Sequence, residues 1–139
     1  MSLLALLLIA ADIPESQLVT QVGDREVFAP AFRGVWSKSA ATCRDEHSSE
    51  TFAVSETRLD GYEWDAALLK TTPIIHQSGP EADEPVYTVL VLTAARGETD
   101  VDIGKTRLSL AGDKLYMSSA DAVSEEDHLS EQYANVRCR

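Results

Sequence analysis

The chain has 139 residues, 44% of them hydrophobic, which suits one globular domain and argues against wholesale disorder. Its 23 acidic residues against 12 basic ones leave a formal charge of −11. Such a field repels nucleic acid phosphates and anionic lipid, so no nucleic-acid partner is expected.

In chain order, residues 3–11 form an uncharged apolar run. The run is too short for a bilayer, which needs about 20 apolar residues, but it fits the apolar core of a secretory signal peptide. Residues 1–11 therefore read as a signal peptide or its remnant. No cysteine follows directly to carry a lipid, so cleavage would leave no stable membrane anchor. Residues 12–29 are a lead-in segment. There, Pro14-Glu15-Ser16-Gln17 opens one short helix, and Leu18, Val19 and Val22 face a core. Residues 30–139 make up a β domain. A turn at residues 30–34 leads into a first strand at Val35-Trp36-Ser37, and residues 39–50 are a polar loop.

Phe52 and Val54 alternate as a strand does, and residues 58–72 form a long arm with Tyr62, Trp64, Ala66 and Leu68 on one face. Pro73 breaks that arm, and residues 77–85 are a surface loop. Residues 86–93 are the strongest strand, apolar on both faces and so central in the sheet. Residues 99–110 return, with an apparent face change near Gly104 that predicts a bulge. A short strand, Leu115-Tyr116-Met117, an acidic loop at 118–127 and a closing segment at 131–139 complete the chain. The sum is a mainly β domain of about seven to eight antiparallel strands, a sheet or barrel-like body.

Two cysteines, Cys43 and Cys138, lie far apart and outside any Cys-x-x-Cys pair, which gives no support for zinc or thioredoxin-like chemistry. In an exported chain they read as one disulfide clipping the first core strand to the last. The same reasoning places the protein in the periplasm or outside the cell.

No catalytic constellation stands out. His47, His76 and His128 are scattered, and the acidic runs around His47 and His128 lack metal-ligand spacing. Glu63 and Asp65 flank Trp64 as a solvent-facing strand edge. There is no Gly-x-Ser-x-Gly and no phosphate-cradling glycine loop, so no catalytic residue, metal or cofactor is expected.

The run Phe32-Arg33-Gly34-Val35-Trp36 resembles the Gly-x-Trp start of the first strand in lipocalin-like barrels. With Cys43, Tyr62-Glu63, Gly97-Glu98, Leu108-Ser109-Leu110, Tyr133 and Cys138, it is also similar in order to small uncharacterised secreted bacterial proteins. The resemblance implies an export-directed β fold. Phe32, Gly34, Trp36, Trp64 and Arg137 are the expected structural core, with Arg137 over the Trp36 ring if the last strand lies beside the first.

These features point to an exported, non-enzymatic binding module whose partner is a protein or small molecule. Its specific version is an inhibitor of a cationic hydrolase. The alternatives are a carrier of a small apolar ligand in a cavity lined by Trp36, Phe52, Trp64 and Leu90, and an enzyme.

Overall fold

The computed structural model describes residues 13–45, 47–74, 86–97 and 99–139. The signal-peptide reading, His76, the 77–85 loop and Glu98 lie outside them.

The predicted short apolar runs become eight strands closed into one antiparallel barrel. They are β3 (Gly34–Ser37), β4 (Phe52–Val54), β5 (Arg58–Gly61), β6 (Trp64–Ile74), β7 (Val86–Arg96), β8 (Val101–Ala111), β9 (Lys114–Ser119) and β10 (Ala134–Arg137). Each pairs with the next in chain order, and β10 closes the ring against β3. The seam is short: Val136 lies opposite Ser37 and Arg137 opposite Trp36. By contrast, β7 and β8 match from Val86–Ala111 to Arg96–Val101.

Three differences from the sequence reading have physical causes. The long arm splits at a tight turn, where Glu63 takes a φ of +64°, so β5 folds back on β6. Pro73 does not end β6. The N–H of Thr71, two residues earlier, points away from β7 to the Glu26 carboxylate, so the proline ring sits where no ladder bond is lost. The bulge falls in β6 between Leu68 and Lys70, while Gly104 keeps register with Thr93. Val101 and Ile103 simply face outward, 60% and 61% exposed, so their alternation never belonged to the core.

The lower half of β6 extends past the end of β5. A hairpin of β1 (Gln21–Val22) and β2 (Arg25–Glu26) covers this gap. Glu26 accepts from both the N–H and the hydroxyl of Thr71, and the Phe28 N–H donates to the Glu56 carbonyl. Val19 and Val22, expected to face the core, are exposed; Val27, Phe28, Ala29 and Phe32 take that place at the lower barrel end. The predicted opening helix is a 3-10 turn, Glu15–Leu18.

The inner face follows from the pairings. Trp36 faces Phe52, Val54 faces Leu59, Val89 faces Leu108, and Leu110 faces both Tyr87 and Leu115. All except the half-buried Tyr87 are at most 5% exposed, so the lower barrel is a filled core.

Candidate functional site at the barrel mouth

The predicted structural residues are mostly brought together at the lower end. The Trp36 indole N–H donates to the Phe32 carbonyl at 2.9 Å, fixing the ring beneath the 3-10 turn Pro30–Phe32. The Arg137 guanidinium lies 4.2 Å from the Trp36 ring centroid and donates to the carbonyls of Arg33 and Ala31 at 2.6 and 3.0 Å. Burial, then the nearby Arg139 charge, push its pKa down, but a guanidinium stays charged. Gly34 has a φ of +133°, and a Cβ there would stand 2.6 Å from Arg137 Nη1. The glycine is therefore what lets the cation reach the indole.

Cys43 and Cys138 are joined in a disulfide with Cα atoms 5.5 Å apart, consistent with an oxidising compartment. Cys43 sits on α1 (Ala40–Cys43), a helical turn inside the expected loop. Ser39 caps it: the Ser39 hydroxyl accepts from the Thr42 N–H, and the Thr42 hydroxyl accepts from the Ser39 N–H. The bridge thus ties this helix, just after β3, to the residue just after β10, across the barrel's short seam. Lys38 reinforces the seam by donating to the carbonyls of Gln132 and Ala134.

Trp64 is the exception among the expected core residues. It is 40% exposed at the opposite, upper end. It stands opposite Gly61, which has no side chain, so the indole folds over that glycine at the mouth. Tyr62 beside it is 41% exposed and meets His47 edge-on, with ring centroids 5.3 Å apart.

Below this aromatic rim the inner face changes character. Leu68 lies opposite Thr93, Thr93 opposite Gly104, and Val91 opposite Thr106. Ala66, Thr93, Ala95, Gly104 and Thr106 are small, and Leu68, Ala95, Gly104, Thr106 and Met117 are half-buried rather than sealed. An eight-stranded barrel has an interior that side chains just fill, or that holds one small ligand. Here the bottom is filled by large side chains and the top is lined by small ones. Leu90 does not line it: Leu90 pairs with Arg107 on the outer face, alternating with inward Val89 and Val91.

A second polar cluster lies outside the barrel, under α2 (Glu125–His128). His128, 2% exposed, has Nε2 2.9 Å from Ser109 Oγ and Nδ1 2.6 Å from Ser118 Oγ. Thr88 extends the chain, its hydroxyl 2.7 Å from Ser109 Oγ. Burial first, and the Arg107 charge second, push the imidazole pKa down to about 4. The ring is therefore neutral at pH 7. Ser109 and Ser118 are 0% and 6% exposed, so neither hydroxyl meets a substrate, and the cluster reads as a structural strut. Nothing in the acidic 118–127 run distinguishes His128 from a solvated loop residue, so sequence reasoning missed it.

Glu63 occupies the β5–β6 turn, and Asp65 pairs with Arg58, so these carboxylates form no working acid pair. Among the described residues, no group of three or more His, Cys, Asp or Glu converges on a metal position, and no helix is long and apolar enough to cross a membrane. No protein-family model, curated protein or solved structure matches the chain.

Proposed function

We propose that the protein is a non-enzymatic binding module, exported to the periplasm or the cell exterior, whose barrel mouth takes one small apolar ligand. The observation that carries this reading is the gradient along the inner face. Large sealed side chains close one end, whereas the small residues Ala66, Thr93, Ala95, Gly104 and Thr106 line the other beneath Trp64, the last three only half-buried. The ordered meander, the Gly34-Val35-Trp36 start and the Arg137–Trp36 stack support a lipocalin-like reading of the same barrel. Export is supported by the apolar leader and the disulfide.

The test is titration with N-phenyl-1-naphthylamine, a neutral apolar dye, followed by its own emission and by Trp64 fluorescence. One saturable site is expected, weakened at least tenfold by Ala95→Phe, which fills the mouth. Equal binding by wild type and that variant, with both folded by circular dichroism, would overturn the reading.

A second reading, an inhibitor of a cationic hydrolase, draws on the formal charge of −11 and on the exposed run Glu125-Glu126-Asp127 of α2. It predicts association with a basic hydrolase such as lysozyme that slows sharply in 0.5 M salt. A salt-independent rate would reject it.

A further inference from the structure

The outer wall of β6–β8 is chemically unlike the rest of this acidic chain. One row across the strands reads Lys70, Leu92, Lys105. The next reads Arg58, Ala67, Ala94, Ile103; above it Asp60 pairs with Asp65, and Arg96 with Val101. Asp65 is engaged by Arg58, as is Asp60 on the neighbouring strand. Lys70, Arg96 and Lys105 are exposed and make no side-chain hydrogen bond or ion pair among the described residues. In a chain with 23 acids and 12 bases, unpaired cations clustered on one wall run against the average. Lys70 and Lys105 stand two strands apart, about 10 Å, and Arg96 lies about 13 Å along β7 from Leu92.

Between these cations the wall is apolar. Val101 and Ile103 are 60% and 61% exposed, and Leu69, pushed out by the β6 bulge, is 47% exposed. Ala67, Ala94 and Ala95 line a shallow groove of about 460 Å³, with Arg58, Arg96, Val101 and the Arg58-paired Asp65 around it. Small floor residues let another surface approach, apolar walls reward it, and the surrounding cations choose its charge.

We propose that this wall is a docking surface for a partner protein, which presents an acidic segment with an apolar side chain at its centre. The occupant must be anionic at its edges to meet Lys70, Arg96 and Lys105, and aliphatic between them to cover Ile103 and Ala94. A second copy in a two-fold contact would set these cations against themselves. An anionic bilayer would bring the whole −11 body against a like-charged plane. A short segment meets only the wall.

The test uses the full chain and a fluorescein-labelled, C-terminally amidated hexapeptide, Glu-Glu-Leu-Ile-Glu-Glu, read by anisotropy. Saturable binding is expected, weakened at least tenfold in a Lys70→Gln, Arg96→Gln, Lys105→Gln triple variant and weakened by Ile103→Ser. A Lys-Lys-Leu-Ile-Lys-Lys control should not bind. The triple variant should keep the wild-type melting temperature and its binding of N-phenyl-1-naphthylamine, since all three positions face away from the mouth. The proposal is overturned if the triple variant binds the acidic peptide as wild type does, or if no binding occurs. It is also overturned if the wall instead drives dimerisation in sedimentation, or adsorption to vesicles containing phosphatidylglycerol, either being abolished by the triple substitution.

Discussion

Protonating His128 should loosen the protein in a defined pH window. In the unfolded chain the imidazole titrates at its ordinary value near 6.5; in the fold it titrates at about 4. Between these values the unfolded state binds a proton that the native state refuses. Stability therefore falls as pH drops from about 6.5 to about 4, and this group contributes no further loss below. Each pKa unit is worth about 1.36 kcal/mol, so the full window is worth about 3 kcal/mol. The molecular cause is the site itself. The charged ring would sit 2% exposed beside Arg107, with Tyr116 against its edge and only serine hydroxyls on its nitrogens. Carboxylates also titrate as the pH approaches 4, so wild type must be compared with His128→Gln, which hydrogen-bonds without titrating. Urea unfolding of both proteins at pH 7.0, 5.5 and 4.5 gives the difference in stability. Wild type should lose its advantage over the variant as pH falls, by about 2–3 kcal/mol across the series. A constant difference, or a native His128 proton resonance titrating near 6.5, would refute the reasoning.

Two other perturbations follow from the lower end and the seam. Replacing Cys43 and Cys138 together with Ser should cost about 2–4 kcal/mol, read as a lower urea midpoint, because the bridge closes a separation of 95 residues. An unchanged midpoint would mean that β10 and β3 need no clip. Gly34→Ala should destabilise by about 1–3 kcal/mol, through both its backbone angle and the displaced Arg137. Because the guanidinium leaves the indole, Trp36 emission should shift as well; a variant with unaltered emission and melting would show that the cation–aromatic contact does not form.

The lower end was legible in the sequence for a physical reason. A glycine beside a large indole, a late arginine and two distant cysteines are rare residue types whose requirements are local: backbone room, a cation for a ring, a partner thiol. Gly34, Trp36, Arg137, Cys43 and Cys138 meet as those requirements predict. What escaped depends on where a residue lies in three dimensions. Trp64 shares inner-face spacing with Ala66 and Leu68, so periodicity alone put it in the core. Its exposure comes from its height in the barrel, set by the unforeseen turn at Glu63. Likewise, alternation along β8 puts Val101 and Ile103 on the face opposite Leu108 and Leu110, but with apolar residues on both faces the sequence does not say which face is the core. The mouth is hidden for the same reason. Alanine, glycine and threonine carry no signal until the pairings show that Ala95, Gly104 and Thr106 turn inward on adjoining strands.

The two ends of the barrel differ in how they are braced, because the bracing is concentrated where the ring is weakest. Closing an antiparallel ring removes every edge within it, but the pairing that closes this one spans only Val136–Ser37 and Arg137–Trp36. This seam is short, and the lower half of β6 pairs with β7 but runs past the end of β5, so the base is where a small barrel would fray. The sequence answers with concentrated order there: the β1–β2 hairpin against β6, the Phe28–Phe32 plug, the Trp36–Arg137 stack and the disulfide all lie at or beside that end. Such a base lets the mouth forgo large side chains without unfolding the whole. If instead the mouth carried the stability, large side chains would be expected in place of Ala66 and Ala95. Reinforcement at one end thus accompanies small inward residues, Ala95, Gly104 and Thr106, at the other, the arrangement that the proposed ligand reading requires in a domain of this size.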